Sequence, residues 1–354
     1  MMPLSPPLQP MLGRLGRELP GDGYLYEPKW DGFRCLAFRS GDELDMRSRN
    51  DRPLARYFPE ISEPLRSLSE RNFVLDGELV VAIEGRFDFA ALMARLHPAA
   101  SRVERLRVDT PSSFIAFDLP AVGDLDLRKE PFERRRQVLE GLLGDIDPPL
   151  FMTPITDDRA IAEGWLDRFH GTGADGVIAK RRDLPYTPGA RTMVKVKRER
   201  TADCVVAGFR WFEARPVLSS LLLGLYDAGG ELQHVGVATQ FTEARRAEIL
   251  EELRSLAVPV DEHPWRHGFL TSGNPMGRLK GAAGSWRPEE MALDWVPLAP
   301  ERVCEVAYDH VDDGRFRHPA RFRHWRPDRD ARSCAFEQLE AGEPSGLEQV
   351  LAFE

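Results

Sequence analysis

Residues 26–35 read YEPKWDGFRC. The stretch has strand character, yet it places a lysine two residues ahead of an Asp–Gly pair. Lysine is scarce in this chain, with 6 (at 29, 129, 180, 195, 197 and 280) against 42 arginines. Arginine serves solvation and bidentate phosphate contacts, but its guanidinium stays protonated. Lysine can lose its proton and attack an electrophile. A lysine at 29 therefore points to the amine itself, although codon bias alone would also leave a few lysines scattered.

The chain around that stretch reads as antiparallel strands. FRCLAFRS and LDMRSRN flank a GDE turn, and NFVLDGELVVAI turns at EGR. FDFAALMARL has helical spacing, and SSFIAFDLP is an apolar strand expected to stop at Pro120. PFERRRQVLEGLL starts a helix near proline, and DDRAIAEGWLDRFHG is a helix closed by glycine. GVIAKRR and TMVKVKRER add two strands. Near residue 200 the character changes to short strands with glycine turns, interrupted by one helix, TEARRAEILEELRSL. That pattern suggests a small β-barrel, with the boundary at 198–204.

Bulk properties narrow the field. A chain of 354 residues has room for two domains. No apolar run approaches the roughly 18 residues of a membrane span. The proline-rich MMPLSPPLQPMLGRLG is a poor signal peptide and reads as an extended lead-in. Cys35, Cys204, Cys304 and Cys334 form no Cys-x-x-Cys pair, so they suggest free thiols in a reducing cytosol. The net charge of −9 confines any nucleic-acid contact to local patches.

Several residues could do chemistry. Lys195 and Lys197 sit two apart on a strand, so they share a face, with Val194 and Val196 on the other. Two ammonium groups there suit a phosphate, or equally a solvated strand face. Asp76 and Glu78 share a face by the same rule, and Asp175 precedes another strand. Carboxylates from separate strands can hold Mg²⁺ together with phosphate oxygens. Phe114 and Phe117 point opposite ways, one for the core and one free to stack on a ring. Residues 315–332, RFRHPARFRHWRPDRDAR, interleave seven arginines with Phe316, Phe322 and Trp325, a composition suited to nucleic-acid or polyphosphate contact.

The order of these pieces is more specific than any one of them. EPKWDGFR (27–34), RSRN (47–50), LDGELV (75–80), FIAFDLP (114–120), DGVIAK (175–180), MVKVK (193–197) and HWRPDRD (324–330) resemble, in sequence, the motif series of the covalent nucleotidyltransferases. That superfamily comprises DNA ligases, RNA ligases and mRNA capping enzymes. The nearest likeness is to the short bacterial ATP-dependent DNA ligases of the ligase C type, related to the ligase module of ligase D.

The resemblance implies an α+β fold: an adenylation (nucleotidyltransferase) domain of antiparallel sheets with helices over residues 1–200, then an OB-fold β-barrel domain over 201–354. It implies ATP, with Mg²⁺ or Mn²⁺, and sealing of nicked duplex DNA in repair through a lysyl-AMP intermediate and a DNA-adenylate. Lys29 would carry AMP. Glu27 would sit near the adenine and Phe117 would stack on it. Arg34 and Arg49 would reach the ribose or the 5′-phosphate of the nick. Glu78 and Asp175 would hold ribose or metal. Arg191, Lys195 and Lys197 would neutralise phosphates, and Arg326 would orient the leaving pyrophosphate. Nearby cations and metal are expected to lower the lysine pKa from about 10.4.

Two positions depart from the family pattern, Asp175 where glutamate is usual and Arg329 where lysine is usual. With the first motif at residue 27, no DNA-binding domain is expected ahead of it. A cytoplasmic, nucleoid-associated monomer is expected, away from membranes, with unidentified repair proteins as partners. The alternatives are an RNA ligase, a GTP-using capping-type enzyme, or a non-catalytic nucleic-acid-binding protein. The glycine-rich segment 269–286 reads as a loop near DNA or a linker.

Overall fold

The structure is a computed structural model that describes residues 3–339 apart from 145, 169–173, 198, 213–214, 267–294 and 313. Contacts divide the chain into two units that part between Arg198 and Glu199. The first unit opens with β1 (Gly13–Leu15), β2 (Tyr24–Trp30), β3 (Phe33–Ser40), β4 (Glu43–Ser48), α1 (Pro59–Ser67), β5 (Asn72–Ile83) and β6 (Arg86–Phe87). It continues with α2 (Phe89–Ala94), α3 (Ala100–Asp109), β7 (Ser112–Val122), β8 (Leu125–Asp126), α4 (Phe132–Leu143), β9 (Leu150–Met152), α5 (Arg159–Arg168), β10 (Ala174–Arg181) and β11 (Met193–Val196).

These strands form two sheets. One runs β1-β11-β10-β2; the other is seven-stranded, ordered β4-β3-β5-β7-β8, with β6 on β5 and β9 on β7. Strand alternation sends residues of β5 and β7 to opposite faces. Val80, Ile115 and Phe117 pack with Tyr26, Trp30, Val177, Val194 and Val196 in a core shared with the smaller sheet. Leu79, Val81, Phe114 and Ala116 join Phe58, Ile61, Leu139 and Leu143 in a core on the other face. α1, α2 and α4 cover that second core with Ile61, Leu65, Leu92, Leu139 and Leu143, while Ala162 and Trp165 of α5 pack into the first.

Some expectations need correction. Pro120 does not end its strand, since β7 runs on to Val122. The β5–β7 register shifts between Val74↔Ala121 and Asp76↔Asp118, which leaves an extra residue beside Pro120. A bulge tolerates the missing proline N–H, so the strand survives. The proline-rich lead-in is structural: β1 pairs in parallel with β11, in the register Leu15↔Lys195. The glycine expected to close α5 (Gly171) and the segment 269–286 both lie outside the described residues.

The second unit contains β12 (Arg200–Phe212), β13 (Arg215–Tyr226), β14 (Leu232–Thr239), α6 (Glu243–Leu253) and β15 (Val296–Tyr308), then β16 (Val311–Asp312), β17 (Arg315–Phe316) and β18 (Ala320–Trp325). A closed barrel runs β12-β13-β14-β18-β15, the five-stranded OB-fold arrangement. Its long strands are not the short ones expected, because repeated register shifts let β12 and β13 bend around the barrel. The aromatics of 315–332 face inward. Phe316 is buried, and Phe322 and Trp325 pack partly on the barrel core. The arginines of that stretch are largely ion-paired: Arg321 and Arg323 with Glu199, and Arg326 with Asp203 and Asp328. The aromatics are explained by packing before any stacking on bases.

Candidate active site

β2 and β3 are joined by Asp31 and Gly32 alone. A Cβ on Gly32 would lie 2.1 Å from the Leu79 carbonyl oxygen and 3.0 Å from Glu78 Cγ. Only glycine lets this turn press onto β5. The β3–β5 register sets Arg34 opposite Glu78 and Phe33 opposite Leu79. Lys29, at the end of β2, is thereby brought within electrostatic range of Glu78.

A cavity of about 440 Å³ opens at this place. Eight residues singled out from the sequence line it: Glu27, Lys29, Arg34, Arg49, Glu78, Phe117, Arg191 and Lys195. Lys195 points in from β11, while Val194 and Val196 face the core as the alternation requires. Lys197 lies one residue past β11 and is not among the lining residues. Asp175 lies in β10, but its side chain is outside the described residues. There β10 bulges, between Ala174 and Val177. Gly176 takes φ 141°, where a Cβ would lie 2.2 Å from the Val196 carbonyl oxygen. Arg326 belongs to the second unit, where it bonds Asp203 at 2.9 and 3.0 Å.

The cavity wall is a network of buried charges. Arg34 reaches Asp76 with Nε at 2.5 Å and Nη2 at 2.6 Å, and Tyr186 donates to the same carboxylate at 2.7 Å. The Arg34 guanidinium also lies 4.4 Å from the Phe117 ring centroid. Behind this layer Arg135 makes a bidentate pair with Asp118, at 2.7 and 2.9 Å, both fully buried. Lys180 reaches Glu27 at 2.8 Å.

Burial pushes the Glu78 carboxyl up to about 7, with Arg34 and Lys29 resisting and Asp31 and Asp76 reinforcing the rise. Burial also raises Glu27, against the pull of Lys180 and then Arg136. For Asp118, burial would raise the carboxyl, but Arg135 overrides it and holds it below the usual range.

No three His, Cys, Asp or Glu side chains gather as a metal cage among the described residues. Such a cage is not required for a hard divalent cation, which can be held through one or two carboxylates plus waters and substrate phosphates. Glu78, partly exposed on the cavity lining, is a carboxylate that could take part in holding one.

Sequence reasoning missed four contributors. Lys180 and Tyr186 were given no role, the Arg135–Asp118 pair was not foreseen, and Pro10–Gly13 form part of the wall. The signal for Lys180 was its rarity, the same that exposed Lys29. For Pro10–Gly13 the sequence carried no signal.

Comparison with known proteins points to one family. A family model described as the ATP dependent DNA ligase domain matches residues 11–197, and one for the ATP dependent DNA ligase C terminal region matches 214–329. The chain is 48% identical to DNA ligase C2 of Mycolicibacterium smegmatis over 343 residues, 96% of each chain. It is 46% identical to DNA ligase C of Mycobacterium tuberculosis over 344 residues, 96% of this chain and 95% of the other. A solved Lig E DNA ligase shares the fold at a TM-score of 0.52 and 18% identity, covering 89% of this chain and 99% of that one. Among the described residues no helix is long and apolar enough to cross a membrane.

Proposed function

The chain belongs to the ATP-dependent DNA ligase family, and on that premise we propose which of its residues carry the reaction. As a DNA ligase of this family it uses ATP to seal nicks in DNA. Lys29 is the nucleophile. Its Nζ attacks the α-phosphorus, a P–N bond forms, and the bond to pyrophosphate breaks. AMP then passes to the 5′-phosphate of the nick, and the 3′-hydroxyl displaces it.

Phosphoryl transfer of this kind depends on alignment and charge neutralisation. Arg191 and Lys195 take the phosphates from the cavity side, with Lys197 beyond them and Arg49 toward the 5′-phosphate. Phe117 stacks on the base, and Glu27 receives its exocyclic amine. Arg34, fixed by Asp76, lies toward the sugar. Glu78 and Asp175 hold the divalent cation, which is Mg²⁺ or Mn²⁺ and supplies charge stabilisation at the phosphates when bound. Arg326 orients the leaving pyrophosphate.

The observation that carries this reading is the convergence of eight residues from five strands and two connecting segments on one cavity, with Lys29 beside Glu78. The net charge of −9 favours a monomer that binds nicks modestly, and a weak hold of that kind leaves room for repair proteins as partners. Lys29→Arg keeps the charge but cannot act as a nucleophile. We expect the variant to fold normally and never to gain the mass of AMP after incubation with ATP. Normal adenylation of Lys29→Arg would sink the assignment.

A further inference from the structure

The proposed reaction gives no task to Lys180, yet its setting is demanding. Its side chain is 2% exposed. Its Nζ bonds Glu27 Oε2 at 2.8 Å and donates to the Phe117 carbonyl at 3.2 Å. It also sits 5.0 Å from the Phe117 ring centroid and 4.4 Å from that of Phe132. It thus ties β10 and β2 of the smaller sheet to β7 of the larger one. The second oxygen of Glu27, Oε1, is buried without a hydrogen-bond partner among the described residues, although Glu27 lines the cavity. A buried acceptor without a partner is rare and asks for a ligand donor.

The charged groups facing Glu27 from the packed elements are Lys180 on β10, Arg136 on α4 and Asp118 on β7. Arg136 is engaged by Glu140 and the Thr153 carbonyl, and Asp118 by Arg135. Lys180 alone of these bonds Glu27 among the described residues. Burial favours a protonated Glu27, and Lys180 is the strongest influence against it.

We propose that Lys180 sets nucleobase selection: by clamping one oxygen of Glu27 it leaves the other an obligate hydrogen-bond acceptor, which takes an exocyclic amine and rejects a carbonyl. Adenine offers an amine at its six-position; guanine offers a carbonyl there. A protonated carboxyl, by contrast, has an O–H that could donate to guanine. The inference rests on the reading that Glu27 lies beside the base.

The test compares wild type with Lys180→Met and Glu27→Gln in single-turnover nucleotidylation of the full chain. ATP and GTP are compared across the neutral pH range, with product read by intact mass. Wild type should form lysyl-AMP in strong preference to lysyl-GMP, and the preference should weaken as pH falls. Lys180→Met should lose roughly tenfold or more of the preference, mainly through KM for ATP, and lose it at higher pH than wild type. Lys180→Arg should restore it. Glu27→Gln, with Lys180 intact, should turn an amide donor toward the cavity and relax the preference even if Lys180→Met does not fold. Wild-type ATP/GTP ratios in a folded Lys180→Met, or in Glu27→Gln, overturn the proposal. Failure of wild type to gain AMP would instead remove the reading beneath it.

Discussion

Replacing Gly32 with alanine tests how closely the lysine-bearing turn must sit on β5. The added Cβ would lie 2.1 Å from the Leu79 carbonyl oxygen and 3.0 Å from both Glu78 Cγ and Val80 Cγ1. The nearest of these is backbone, so no rotamer change relieves it. A carbon–oxygen contact settles near about 3.3 Å. The turn must therefore lift from β5 by roughly 1 Å, a displacement that costs on the order of 100-fold when it misplaces a reacting group. Overpacking of this kind destabilises by about 1–3 kcal/mol, which leaves most of the first unit folded. The assay is the rate of lysyl-AMP formation with ATP, read by intact mass beside a thermal melt. The expected result is a small fall in Tm with a loss of adenylation of about two orders of magnitude. A variant that adenylates within a few-fold of wild type would refute the argument that this close approach aligns Lys29 with Glu78.

Three further outcomes are expected. Arg135→Met leaves Asp118 buried and unpaired and should destabilise by about 3–5 kcal/mol. Asp118 is held below its unfolded value, so the pair stabilises above about pH 4 and the stability gap should narrow in acid melts; a gap unchanged by pH would contradict this. Glu78 is raised to about 7, so its contribution is full below its unfolded pKa of about 4.3 and is lost as pH rises through 7. Glu78→Gln, without metal or nucleotide, should therefore melt higher than wild type at alkaline pH and converge with it in acid, while adenylation falls; equal melts at alkaline pH would count against it. Deleting residues 1–16 removes the backbone bonds from Leu12 to Ala190 and from Gly16 to Lys195, at 2.8 and 2.9 Å. KM for ATP should rise on the order of tenfold, since Lys195 loses its positioning strand; an unchanged KM would make the segment a mere lead-in.

Strand periodicity made the alternation of β5, β7 and β11 legible, and with it the opposite facing of Phe114 and Phe117. Phe114 is in the core and Phe117 lines the cavity. The course of β7 past Pro120 was not legible, because a bulge depends on the partner strand. The arginine and aromatic stretch was read as a binding surface, because composition cannot tell an inward Phe316 from an outward one. Arg326 was visible as a candidate, but not that Asp203, far back in the chain, would hold it.

The sequence by itself determined the order of motifs, and through it the family, the two-domain α+β organisation and Lys29 as the candidate nucleophile. These follow from local spacing and from chemistry that only certain side chains can perform. Tertiary structure decided what lies beside what. It turned a proline-rich lead-in into the strand that braces Lys195 and paired Lys180 with Glu27 across neighbouring strands. It also left one oxygen of that carboxylate buried without a hydrogen-bond partner among the described residues. Those relations arise from sheet register and burial, which bring residues distant in sequence together, and no local pattern records them.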